Sequence, residues 1–307
     1  MRWRQAHQEA IIAAADAHDE LDIDAFARID VFAAMAHQRL KVIFKPLAGC
    51  AALYLPSVLG SRPGALINSH HPLALQRYSG AHEFGHHRFD HGAQVDNEVE
   101  LRLSRRALPP HEMLAEAFAA WFLMPPERAD VALETLGIER PQSPADVYAL
   151  ALRFGTSYTA TCVHLPSLKR ADVADAHDWA KVALKKVKQS LRPTPPLGGW
   201  ANDVWALNER DSDEPLVVRA GDRLIVGLPG AWSIEQLPRG ATESDEPAAD
   251  LLAAAASPTV VDLGVDMDAG PARIVLSQGT TKVSYELVVE RPREGLYVPP
   301  LMRAATT

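Results

Sequence analysis

Two histidines four residues apart, with a glutamate beside the first, are the residues of this chain best suited to chemistry: His82-Glu83-Phe84-Gly85-His86. On an α-helix, positions four apart lie one turn above each other on the same face, so both imidazoles can converge on a single ion. A zinc ion accepts that geometry. Glu83, one step round the helix, then stands beside the ion's open position, where it can take a proton from water. The motif encodes two ligands and a base. With 12 His in 307 residues, the pattern arises by chance in on the order of a few per cent of such chains, so the surrounding sequence has to support it.

A third ligand is required. One class of zinc peptidase places a third His six residues after the second, with Gly at three; Gly92 and Phe89 occupy those places and exclude it. Asp90 and His91 are close in sequence, but they reach the ion only if the helix ends abruptly. Glu112 is the better candidate. It opens a helical run that ends at Pro125-Pro126, with Leu114, Phe118, Trp121 and Phe122 at helical spacing. Glu116, one turn on, suits an acceptor for the ring N–H of a ligating histidine.

The elements that must position these groups read as follows. Residues 2–40 give two helices, one Ala-rich over Glu9 to Ala17 and one capped by Asp24 that runs through Phe26, Ile29, Phe32, Ala33 and Ala36. Leu40 to Phe44, Ala51 to Leu55 and Ala65 to Asn68 are short apolar strands. A loop from Ser69 to Ser79 leads into the zinc helix, whose Ala81, Phe84, Gly85 and Phe89 face a core. The basic run Val99 to Arg106 reads as a solvated loop between the two ligand helices.

Taken together, His82-Glu83-Phe84-Gly85-His86 and Glu112-x-x-Ala115-Glu116-x-Phe118-Ala119, closing on Leu123-Met124-Pro125, resemble the ImmA/IrrE family of zinc metallo-endopeptidases. The resemblance spans roughly residues 25–190, with two motifs in the right order. In that family Asn or Asp usually stands where this chain has Glu116, and a Thr-Leu-type lead-in where it has Tyr78-Ser79-Gly80. The resemblance implies a minimal zincin-like peptidase domain holding Zn2+ and a helix-turn-helix repressor as protein substrate. It further implies that cleavage releases transcription in a stress response or a mobile element.

Residues 143–192 form the next segment. Ser143-Pro144 starts a helix that continues to Gly155, and Thr156-Ser157 caps another through Cys162 and Leu165, a helix-turn-helix layout. In residues 165–192, seven basic residues stand against three acidic ones, and Lys181, Lys185 and Lys188 share one helical face opposite Trp179, Ala183, Val187 and Leu191. A solvated face is the expectation there, and the whole-chain charge of −8 disfavours non-specific nucleic-acid binding.

A Pro- and Gly-rich linker, 193–201, separates this segment from a change of composition: residues 194–307 hold 17 acidic and 9 basic residues, the whole of the net charge. Strand-like runs at Asp203 to Asn208, Leu216 to Val218, Arg223 to Val226, Thr259 to Leu263, Ala272 to Leu276 and Lys282 to Val289 predict an antiparallel β-sandwich. Leu216 to Pro229, Trp232 and Tyr285 to Glu290 resemble a degenerate chagasin-type fold, that of the immunoglobulin-like cysteine-peptidase inhibitors, without their Asn-Pro-Thr-Thr-Gly loop. Asp245-Glu246-Pro247 and Ala253 to Ala256 read as a flexible insertion.

The expected class is α+β. Residues 1–142 form the peptidase domain, 143–192 the helix-turn-helix-like segment, and 202–307 an all-β immunoglobulin-like sandwich with a regulatory role. Cys50 and Cys162 are too few for a disulfide scaffold, and no apolar run of eighteen residues or signal peptide is seen. A cytoplasmic location fits. The function expected is zinc-dependent endopeptidase, with His82, His86 and Glu112 as ligands, Glu83 as base, and Tyr158 or His164 as oxyanion stabiliser. The alternative is a DNA-binding or repressor-sequestering regulator with a structural zinc and no proteolysis.

Overall fold

The computed structural model describes residues 2–57, 61–97, 108–196, 198–243 and 259–299. The basic run 99–106 and the insertion around 245–256 lie outside them. The chain divides into two compact units, one of Met1–Ala129, Phe154–Ser157 and Pro292–Thr307, the other of Asp130–Arg153 and Tyr158–Arg291.

In the first unit, α1 (Trp3–Glu20) buries Ala6, Ala10, Ala14 and Ala17. A stripe of methyl groups lets its backbone come close to α4 (Pro110–Leu123), against which it packs. His18 Nε2 reaches the Phe122 carbonyl at 3.0 Å and Trp121 donates to His7 Nδ1 at 2.9 Å, so α1 is also pinned by polar contacts. The second helix, α2 (Val31–His37), is shorter than expected. Its cap is Asp30, which accepts from the N–H groups of Phe32 and Ala33; Asp24 closes a local turn onto the Phe26 N–H instead. Three strands follow, β1 (Lys41–Lys45), β2 (Cys50–Leu55) and β3 (Gly64–Asn68), with β1 and β3 parallel and β2 antiparallel to β3.

The motif helix α3 (Leu73–Arg88) begins at Leu73 rather than after Ser79. Its first turns are held by side chains that satisfy loop carbonyls: Gln76 donates to His71 at 2.8 Å, and buried Arg77 donates to Ile29 at 2.6 Å and Gly155 at 3.0 Å. Beyond it, β4 (Gln94–Asn97) pairs antiparallel with β2.

Pro125-Pro126 ends α4 and also starts an unexpected helix, α5 (Pro126–Leu136). The reason is the asymmetry of proline: it blocks a helix interior yet fits a first turn, where its missing N–H costs nothing. The second unit continues through α6 (Pro144–Phe154), α7 (Tyr158–His164), α8 (Val173–Ala180) and α9 (Leu184–Leu191). The single helix expected to carry Lys181 through Lys188 is broken before α9, where Ala183 is extended with ψ 128°. Lys188 consequently turns inward. It is 2% exposed, donates to the Asn202 carbonyl at 2.8 Å and meets Asp203 at 2.8 Å, so it leaves the solvated face on which Lys181 and Lys185 remain exposed.

Among the described residues, eight strands complete this unit: β5 (Val204–Leu207), β6 (Leu216–Arg219), β7 (Arg223–Leu228), β8 (Ser233–Gln236), β9 (Ala241–Glu243), β10 (Thr259–Val265), β11 (Gly270–Gln278) and β12 (Thr281–Glu290). They form two four-stranded sheets, ordered β5-β7-β10-β9 and β6-β12-β11-β8, around one core that includes Trp205, Leu224, Val226, Leu263, Leu276 and Tyr285. Pairing is not wholly antiparallel: β5 runs parallel to β7, and β6 parallel to β12. Buried charges tie the end of α9 to β10, β7 to β10, and α6 to the short helical turn Glu209–Ser212. Arg192 donates to Asp262 at 2.7 Å, Arg223 donates to the same carboxylate at 2.9 Å, and Arg153 pairs with Asp211.

The chain then returns to the first unit. A two-residue strand, β13 (Gly295–Leu296), pairs antiparallel with β1, extending that sheet to the order β13-β1-β3-β2-β4. The Tyr297 N–H donates to the Val42 carbonyl at 2.8 Å, and the Arg293 guanidinium lies 4.8 Å from the Phe32 ring centroid and 5.6 Å from that of Tyr297.

Candidate metal centre

Two helices supply the centre. His82 and His86 project from one face of α3, and Glu112 and Glu116, one turn apart, project from α4. What lets the helices meet is Gly85. A Cβ there would stand 3.0 Å from the Ala115 Cα and 3.2 Å from its carbonyl oxygen, so a methyl group would force the two backbones a few tenths of an ångström apart. Around this contact Phe84 packs edge-on to Phe118 and Phe122, with centroids 5.5 and 5.3 Å away. Gly85→Ala should therefore destabilise the chain by about 1–3 kcal/mol, because the obstruction is helix backbone rather than a mobile side chain. Denaturant unfolding checks this, and an unchanged midpoint would show that the helices separate freely.

The convergence is tight. His82 Nε2 lies 3.0 Å from Glu112 Oε2 and 3.0 Å from His86 Nε2, and His86 Nε2 lies 3.6 Å from Glu112 Oε1. One donor atom from each of the three residues falls within 4.8 Å of the others, and all three residues are buried. Burial alone would push the Glu112 carboxyl upward, but the His82 and His86 imidazoles beside it hold it well below the usual carboxylate range. Two imidazoles and one ionised carboxylate are the donor set of a site that keeps a fourth position open, so the residues fit a zinc ion.

Glu83 is fully buried on α3. Glu116 lies behind His82, with Oε2 3.7 Å from Nδ1, and its Oε1 accepts the Tyr78 hydroxyl at 2.9 Å. That sets a carboxylate on the Nδ1 side of the His82 ring. Tyr54 of β2 stacks on His86 at 6.3 Å between centroids, and its hydroxyl meets His87 Nδ1 at 3.1 Å.

Two further histidines lie here, His91, set aside above as needing an abrupt helix end, and His111, which the sequence reading gave no role. α3 does end abruptly: Asp90 takes φ 52°, and the His91 N–H returns to the His86 carbonyl at 2.9 Å. The signal was Asp90, since Asp tolerates the left-handed region better than most residues. His91 is thereby swung onto His86, with the two Nδ1 atoms 2.8 Å apart. Burial, followed by the neighbouring His86, pushes His91 down to about 4. His111 stands at the margin, partly exposed, with Nε2 3.2 Å from Glu112 Oε1. Tyr158 and His164 both belong to the second unit, where Tyr158 donates its hydroxyl to the Trp179 carbonyl at 2.8 Å.

Residues 36–165 match the family model of Peptidase M78, described as an IrrE N-terminal-like domain. The matched stretch includes both helices of the centre and lies inside the region of ImmA/IrrE resemblance. No curated protein gives a match. Among solved structures, the cysteine protease inhibitor EhICP2 from Entamoeba histolytica is similar at 17% identity over 30% of this chain and 100% of that one. Its TM-score of 0.22 carries no argument about the fold.

Proposed function

From the premise that residues 36–165 carry a Peptidase M78 domain, we propose that the chain is a zinc-dependent endopeptidase acting on a protein substrate. The observation that carries the proposal is the buried convergence of His82, His86 and Glu112, with Glu83 on the same helix as the two histidines. When bound, zinc would supply Lewis-acid polarisation of the scissile carbonyl and of water. Glu83 takes a proton from the attacking water and delivers it to the leaving amine. Glu116 holds His82 through its Nδ1 side, and Tyr78 holds Glu116. His111, at the edge of the ligand cluster with Nε2 3.2 Å from Glu112 Oε1, would meet a developing oxyanion.

By the same family likeness the substrate is a helix-turn-helix repressor, met in the cytoplasm. The strands β5 to β12 are read as an immunoglobulin-like sandwich that regulates the activity. A DNA-reading role is disfavoured because α7 has seven residues, buries Tyr158, Thr161, Cys162 and His164, and carries no Lys or Arg.

The deciding experiment surveys new protein N-termini in cells expressing the wild type or Glu83→Gln. A cut in one or a few DNA-binding proteins, made by the wild type alone, supports the proposal; no cut under several stresses rejects it in favour of binding without proteolysis. Metal removal gives an independent check. Zinc at 100 times its dissociation constant should stabilise the first unit by about 2.7 kcal/mol over the chelated form, and Glu112→Ala should abolish the gain in a thermal melt.

A further inference from the structure

We infer that His91 is a positioning residue for His86: it accepts the His86 Nδ1–H and so fixes the tautomer whose Nε2 lone pair faces a metal ion. The inference rests on the reading of His82, His86 and Glu112 as ligands. A neutral imidazole carries one N–H, and which nitrogen bears it is set by the hydrogen bond the other nitrogen makes. His86 Nε2 is committed to the cluster, 3.0 Å from His82 Nε2 and 3.6 Å from Glu112 Oε1. Its proton therefore belongs on Nδ1, and the group facing Nδ1 is His91 Nδ1 at 2.8 Å. Were His91 the donor, the proton of His86 would sit on Nε2 and block the metal pocket.

His91 is held for this task from three sides. The backbone clasps the same residue as the ring does, through the N–H to the His86 carbonyl at 2.9 Å that follows the left-handed Asp90. Phe89 stacks on the His91 ring with centroids 5.8 Å apart and planes at 24°, and His111 meets it edge-on at 5.8 Å. The two ligand histidines thus differ in their supports. His82 has a carboxylate behind it, Glu116 at 3.7 Å, whereas His86 has an imidazole. Glu83, Glu112 and Glu116 already bring carboxylates to this cluster, so an uncharged acceptor orients His86 without adding another negative charge.

The test uses the full chain and zinc itself, with affinity measured by competition against a chromophoric chelator for the wild type, His91→Phe and His91→Asn. Phe keeps the ring and its stacking but has no acceptor; Asn places an amide oxygen where Nδ1 stood. His91→Phe should bind zinc roughly 10–100-fold more weakly, while His91→Asn recovers most of the loss. The metal-free thermal melts of all three should coincide. In the cobalt-substituted forms the visible ligand-field bands should match for the wild type and His91→Asn and shift for His91→Phe. Wild-type affinity in His91→Phe, or equal weakening in both variants, overturns the inference. A wild type that takes up no zinc overturns the ligand reading itself, and that titration comes first.

Discussion

Glu83→Gln should leave zinc stoichiometry unchanged and cut peptide-bond hydrolysis by roughly 10²–10⁴-fold, the range contributed by a positioned general base. That loss corresponds to about 3–5 kcal/mol of barrier. The amide is isosteric with the carboxylate, so the fully buried site of Glu83 keeps its packing. What disappears is the capacity to take a proton. Single-turnover cleavage of the substrate found in the N-terminus survey, with zinc content measured on the same samples, tests this. If the variant loses zinc along with activity, Glu83 serves to hold the site together rather than to act as the base.

The second large effect concerns stability. Asp262→Ala should destabilise the second unit by about 3–5 kcal/mol, because a buried ion pair broken from one side leaves charge that nothing compensates. Here the loss is doubled: Asp262, 4% exposed, accepts from Arg192 at 2.7 Å and from Arg223 at 2.9 Å, so both guanidiniums lose this carboxylate. Against a typical total of about 5–15 kcal/mol, the unit would lie near its unfolding threshold. The contrast is Arg273→Ala. Its pair with Glu286 joins β11 and β12 with both side chains largely in solvent, and such pairs contribute about 0–1 kcal/mol. Denaturant midpoints at constant slope compare the two variants. Equal costs would mean that the Asp262 cluster is hydrated.

The chemistry of the candidate site was legible because it depends on spacing inside single helices. His82, Glu83 and His86 needed only that α3 be a helix, and Glu112 and Glu116 only that α4 be one. His91 depended instead on how α3 stops, which a single left-handed residue, Asp90, decides. Lys188 was misread for a related reason. A helical wheel drawn through residues 179–191 assumes one axis, and the extended Ala183 ends it. The ammonium then finds Asp203, which no local pattern announces. In the β-rich part, long apolar strands such as β12 were visible, whereas β8, with the sequence Ser-Ile-Glu-Gln, has little to bury. Two parallel pairings were hidden because alternation reports which face is buried, not which strand lies alongside. Membership of α+β survives all of these corrections.

The return of the C-terminal segment makes the second unit an insertion rather than an appendage. Both of its ends are sewn into the first unit, which takes back the chain at Pro292. A fragment ending at Arg192 would lack β13 and would leave the β1 edge unpaired, with Phe32 and Phe44 deprived of the Arg293 cover. Open edges of that kind recruit foreign strands. The part that carries the metal centre is therefore not separable by a single cut: whatever happens to the strands from Val204 to Glu290, the sheet beside α3 is finished only once Gly295 and Leu296 have been made.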